Sequence, residues 1–147
     1  MYGKQAIAAR NEQMADHDIT DQDYATLAAF RYELRRFLRF SDHAAKRSGL
    51  TAQQHQALLA IRAAPDMTLL IGELAAQLLI KPHSATELVD RLERLALIGR
   101  STSAEDRRQV RVSLTGEAKA LLISLAATHR AELKRLRPLL SALMAQL

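Results

Sequence analysis

Residues 81–116 read KPHSATELVDRLERLALIGRSTSAEDRRQVRVSLTG, and the spacing of their apolar positions changes once along the way. Proline suits the first turn of a helix and is hostile to an interior, so Pro82 opens a predicted helix reaching about Leu97. Leu88, Leu92, Leu95 and Ala96 form its expected inner stripe. From Gln109 to Leu114 the period drops to two: Val110, Val112 and Leu114 alternate with Gln109, Arg111 and Ser113, as on a half-buried strand. Gly99 to Ser103 is its antiparallel partner across the polar tip Ala104-Glu105-Asp106-Arg107. One hairpin is marginal on its own, so it must pack on helices.

Upstream, a short helix is expected over about Leu70 to Leu79, making a tight helix–turn–helix with the one that follows. Thr51-Ala-Gln-Gln54 has the form of a capping box, opening a helix that carries Leu58, Leu59 and Ile61 until Pro65-Asp66 breaks it. Before it, Tyr24, Leu27, Phe30, Leu34, Phe37, Leu38 and Ala45 recur at helical steps from about Asp21 to Arg47. Thr20 is the expected N-cap of that helix and Gly49 its terminator. Residues 1–20 are polar and read as a mobile arm. Downstream, Thr115-Gly116-Glu117 caps a last helix with Leu122, Leu125, His129, Leu133, Leu136, Leu140, Leu143 and Leu147 on one seam. Pro138 should kink or split it near Arg137.

The chain has 147 residues, the length of one domain, and 48% hydrophobic against 25% charged residues, the balance of a soluble globule. Zero cysteines exclude disulfides, thiolate nucleophiles and thiol redox sensing. No run approaches the ~20 apolar residues of a membrane span, and Met1 to Arg10 lack the apolar stretch of a signal peptide. A cytoplasmic protein with no membrane partner is expected. The net charge of +5 invites nucleic acid, yet the excess is spread along the chain and does not by itself locate a face.

Enzyme chemistry finds little support. Ser41-Asp42-His43 are consecutive helical positions pointing in different directions, so no proton relay can form. There is no glycine-rich phosphate loop and no G-x-S-x-G. The histidines (His17, His43, His55, His83 and His129) contain no H-x-x-x-H pair, so neither a metal nor any other cofactor is expected.

Two short helices joined by a tight turn and followed by a basic hairpin spell a winged helix-turn-helix. In this context the chain resembles the multiple-antibiotic-resistance regulator (MarR) family of transcription factors. The stretches that carry the likeness are Ile71-Gly-Glu-Leu-Ala75, Ser84-Ala-Thr-Glu-Leu-Val-Asp-Arg-Leu-Glu93, and Asp106-Arg-Arg108 followed by Leu114-Thr115-Gly116. Ala96 and Leu79 stand where the family often has glycine, so the turn into the wing is expected to fall on Gly99. The resemblance implies a mainly α fold: a three-helix core plus β-hairpin wing, flanked by N- and C-terminal dimerisation helices. It implies a single domain over 1–147, with a DNA-binding lobe at 51–114 and dimerisation helices at 21–48 and 115–147.

Reading base edges needs donors and acceptors at the N-terminal end of a helix in the major groove. Pro82, His83, Ser84, Thr86, Glu87 and Arg91 supply that end and outer face; a plain solvated face is the alternative. By resemblance Arg108 enters the minor groove, oriented by a charge-assisted bond from Asp106, while Arg107 and Arg111 sit near phosphates. Leu133, Leu136, Leu140, Leu143 and Leu147 exceed what a lone terminal helix can bury and imply a homodimer.

Arg31, Arg35 and Arg39 follow one another at steps of four, with Tyr32 and Phe40 nearby. They form either a solvated basic stripe or, as the resemblance implies, part of a crevice for a small anionic aromatic effector together with His55. The implied function is a sequence-specific repressor of double-stranded DNA that binds a pseudo-palindromic operator as a homodimer and is released by a small ligand. The alternatives are a winged-helix module for protein–protein contact alone and a small helical-bundle enzyme.

Overall fold

The computed structural model describes residues 19–102 and 104–147. The expected arm therefore lies outside the described residues except for Ile19 and Thr20, as does Ser103 at the end of its expected strand. The described elements are α1 (Asp21–Arg47), α2 (Ala52–Ala63), a 3-10 turn (Pro65–Met67), β1 (Thr68–Leu70), α3 (Ile71–Leu78), α4 (Pro82–Arg94), β2 (Ile98–Thr102), β3 (Val110–Leu114) and α5 (Gly116–Met144). The chain forms two compact units: Arg39–Ala131, and a second whose described residues are 19–38 and 132–147.

In the first unit β3 is the middle strand of a three-stranded antiparallel sheet in the order β1-β3-β2. Val112 pairs with Leu69 on one side and Arg100 on the other. The sequence reading had a two-stranded hairpin; β1 was missed because its three residues are too few for a period of two to show. The largest fully buried side chains of the unit are Leu58 and Ile61 of α2, Leu74 of α3, Val89 and Leu92 of α4, and Val112 of β3. Each contributes about 1.5–3 kcal/mol by leaving water.

Local chemistry fixes the ends. Thr51 Oγ1 accepts the Gln54 amide at 3.1 Å while Gln54 Oε1 accepts the Thr51 amide at 3.0 Å, closing the expected capping box. Gly49 ends α1 at φ +79°. Thr115 does three things: its N–H donates to Leu97 O at 3.1 Å, its hydroxyl donates to Ala96 O at 2.8 Å, and its Oγ1 accepts the Ala118 amide at 3.3 Å. One residue thus caps α5 and closes the base of the hairpin.

Three expectations are corrected. First, α4 stops at Arg94 rather than near Leu97, and Leu95 (47% exposed) and Ala96 lie outside its buried stripe, which is Ala85, Leu88, Val89 and Leu92. Second, the turn out of α4 falls on Ala96, at φ +57°, and not on Gly99, which is an ordinary β2 residue opposite Ser113. The corner before α4 is likewise made by Leu79, at φ +56° and 92% exposed. Third, α5 is not split near Arg137: it continues through Pro138 as one helical element. The proline removes one hydrogen bond, to the carbonyl four residues back, and the remaining helix carries across the gap.

In the second unit Thr26 and Leu136 are each only 2% exposed, and Gln146 Oε1 accepts from Gln22 Nε2 at 2.7 Å and from Thr26 Oγ1 at 3.2 Å. Asp23 and Thr20 cap the start of α1 reciprocally, with Thr20 N–H donating to Asp23 Oδ2 at 2.8 Å. This unit leaves Tyr24, Leu27, Leu34, Leu133, Met144 and Leu147 exposed. Among the described residues no helix is long and apolar enough to cross a membrane.

A side chain in the left-handed region costs roughly 1–2 kcal/mol that glycine does not. Leu79→Gly and Ala96→Gly should each raise the unfolding free energy by up to about 1 kcal/mol, since neither side chain is buried. Chemical denaturation checks this; a loss of stability in both variants would contradict the assigned turns.

Candidate nucleic-acid interface

Helix α4 begins without help from a side chain. Lys81 is its N-cap, at φ −71° and ψ 149°, with no side-chain hydrogen bond, and Pro82 occupies the first turn. Pro82, His83, Thr86, Glu87 and Arg91 are exposed, and Ser84 is half-buried. The Thr86 hydroxyl donates back to Pro82 O at 3.2 Å. The expected helix face is therefore open, with the partial positive charge of the helix start at its tip.

The hairpin tip is built by Asp106. Its Oδ1 accepts the backbone N–H of Arg108 at 2.9 Å, and its carbonyl accepts the Gln109 N–H at 3.0 Å. This corrects the expected role: the carboxylate holds the Arg108 backbone in an Asx turn rather than gripping its guanidinium, because two residues of separation suit the amide. Arg107, Arg108 and Arg111 are all exposed. Thr86 of α4 and Arg108 of the tip line one concavity, together with Glu73, Arg100 and Gln109. The fold therefore brings the helix face and the tip together on one surface of one unit.

Arg100 is the residue the sequence reading missed. Its guanidinium pairs with Asp90 and, at 3.2 Å, with Glu93, both on α4. The signal was present as two acids three apart on the outer face of α4 and a basic residue on the next strand. The pairing needed the turn at Ala96 to become visible.

The expected effector residues are only partly gathered. Phe40 and His55 both pack against His129, with ring centroids 5.7 and 4.9 Å away. His129 is wired on both nitrogens: Nδ1 donates to Leu125 O at 2.7 Å and Nε2 lies 2.8 Å from Ser41 Oγ. His55 is 4% exposed, and its Nδ1 has no hydrogen-bond partner. Arg39 is exposed and lies outside this cluster; Arg31, Tyr32 and Arg35 are exposed in the other unit, where the Arg36 guanidinium sits 5.9 Å from the Tyr32 ring centre. Glu33 pairs with Arg36 at 3.5 Å rather than with the arginine stripe.

Of the leucines expected at a dimer interface, Leu136 is already buried within its own unit and Leu140 and Leu143 are half-buried, while Leu133 and Leu147 are 50% and 67% exposed. Leu133, Leu136 and Leu140 line a groove with Phe30, Leu34, Phe37 and Glu33, whose Oε2 is buried without a hydrogen-bond partner. Among the described residues no group of three or more histidines, cysteines or carboxylates is placed to hold a metal ion.

Residues 48–109 match the MarR family model. The chain is 39% identical over 74 residues to the uncharacterized HTH-type transcriptional regulator YfiV of Bacillus subtilis (strain 168), across 50% of this chain and 46% of that relative, so the match spans less than half of YfiV. Among solved structures, AbsC, a MarR family transcriptional regulator from Streptomyces coelicolor, superposes with a TM-score of 0.70 at 18% identity, covering 81% of this chain and 80% of its own. Sco3205, a MarR family transcriptional regulator from the same organism solved in complex with DNA, gives 0.68 at 20% identity over 80% and 77%.

The buried imidazole of His55 makes the first unit sensitive to pH. Burial, and secondarily the neighbouring His129, holds the His55 pKa below its ordinary value of about 6.5. The unfolded chain then takes up the proton more readily than the folded one, so stability is complete above about pH 6.5 and falls as the pH drops through that value. His55→Phe should flatten the fall and be the more stable protein at low pH. A His55→Phe variant with the same pH slope as wild type would show that other groups set it.

Proposed function

We propose that the chain is a transcriptional regulator of the MarR family, whose model matches residues 48–109, and that it binds double-stranded DNA sequence-specifically as a homodimer. The operator is pseudo-palindromic, and the bound protein represses transcription in the cytoplasm until a small ligand releases it. Members of this family are transcription regulators, not enzymes.

The observation that carries the DNA reading is the shared surface of α4 and the hairpin, with an uncapped helix start and three exposed arginines around it. A helix fits the major groove, where His83, Ser84, Thr86, Glu87 and Arg91 face base edges and the amides behind Pro82 face a phosphate. Arg108 reaches the narrow, negative minor groove, held at its backbone by Asp106, while Arg107 and Arg111 approach phosphates. The complex of Sco3205 with DNA supports this use of the fold.

The dimer follows from solvation. The second unit exposes large apolar side chains from α1 and α5, and a free monomer would leave that surface to water. A second copy covers it through Leu133, Leu140, Leu143 and Leu147, with Leu136 packed beneath. The effector is a small aromatic anion attracted by the exposed Arg31 and Arg35 of the second unit, and it acts by binding the DNA-free conformation more tightly.

Arg108→Ala removes one cation from the groove. Affinity for an operator should fall by about 1–3 kcal/mol, and the slope of log affinity against log salt should flatten by about one counterion per subunit. Asp106→Ala leaves that cation in place but unanchored, so affinity should drop with little change of slope. Fluorescence anisotropy over a salt series separates the two; an Arg108→Ala protein with wild-type affinity and slope refutes the minor-groove assignment.

A further inference from the structure

Beyond Ile98 the hairpin leaves the core. Ile98 is buried, Gly99 half-buried, and Arg100, Ser101 and Thr102 are exposed, as are the described residues of the tip. On β3 the last fully buried residue before the tip is Val112, directly opposite Arg100. Past this level the backbone ladder holds the two strands to each other, but nothing in the ladder holds the pair to α4.

Arg100 spans that gap. Its guanidinium bridges Asp90 and Glu93, which stand one helical turn apart on α4, with Nε donating to Glu93 Oε2 at 3.2 Å. A planar fork gripping two carboxylates restricts direction as well as distance, which a single ammonium does not. The Arg94 Nε donates to Asp90 O at 3.3 Å, so the backbone carrying one of the acids is itself tied down.

We propose that Arg100 is a positioning residue for DNA recognition: it fixes the hairpin to α4 so that helix and tip meet neighbouring grooves at one set spacing. The inference rests on the DNA-binding reading above. Exposed ion pairs add little stability, so the effect is directional rather than a matter of folding. It also opposes simple electrostatics. Asp90 and Glu93 are negative charges on a helix meant for a polyanion, and removing them should by charge alone strengthen binding. If they serve to seat Arg100, removing them weakens it.

The test uses the full-length protein, a duplex that wild type selects from a random pool, and an unselected duplex, each over a salt series. The double variant Asp90→Asn with Glu93→Gln should bind the selected duplex at least about fivefold more weakly, yet bind the unselected duplex as well as wild type or better. Arg100→Met should lose the same preference with its salt slope unchanged, and Arg100→Lys should recover only part of it. Thermal midpoints near wild type for all three are expected, and they separate positioning from unfolding. A double variant that binds the selected duplex as tightly as wild type, or more tightly, overturns the proposal. So does an Arg100→Met protein whose slope falls by about one counterion per subunit, since that marks a direct phosphate contact. If wild type selects no duplex at all, the DNA-binding reading fails and the positioning role with it.

Discussion

Val112 lies under the sheet with no exposed surface, and the alternation it belongs to arranges nearly everything else in the first unit. With Val112 and Leu114 turned inward, Arg111 and Ser113 must face out, because successive side chains on a strand point to opposite sides. The strand is paired on both edges, to β1 just before α3 and to β2 just after α4. The helix–turn–helix is thus clamped at its entrance and its exit by one five-residue strand. A slip of one residue would bury Arg111 and expose Val112, so the register is strongly specified.

From that clamp the placement of the hairpin against α4 follows with few further parts. Thr115 closes the base of the hairpin onto Ala96 and Leu97, the two residues that end the turn out of α4. Asp106 folds the tip, and Arg100 ties the exposed stem back to the helix. Each contact is modest alone. Together they tie the hairpin to α4, as the proposed reading of two grooves at once requires.

Much of this was legible in the sequence because it is local. The change of period between α4 and β3, the Thr51 capping box, the Gly49 terminator and the bounds of α1 are all set by residues within a few positions of one another. What was not legible depends on tertiary context. Leu95 and Ala96 continue the helical spacing of α4, yet the chain turns at Ala96 with a residue that does not favour that turn. β1 exists only because β3 offers it an edge. The Arg100 bridge spans seven and ten positions and forms only once the turn has been made. His55 reads in the sequence as a candidate effector contact, and only packing reveals that it is buried with an Nδ1 that has no partner.

The central claim is that α4 and the hairpin form one DNA-reading surface, presented twice by a symmetric dimer. Selection of duplexes from a random pool by the wild-type protein tests it most directly. The account requires an enriched pseudo-palindrome whose half-sites lie about 10 base pairs apart, or a multiple of that spacing, centre to centre. A pool that shows no enriched sequence, or a motif with a single half-site and no symmetry mate, would contradict it.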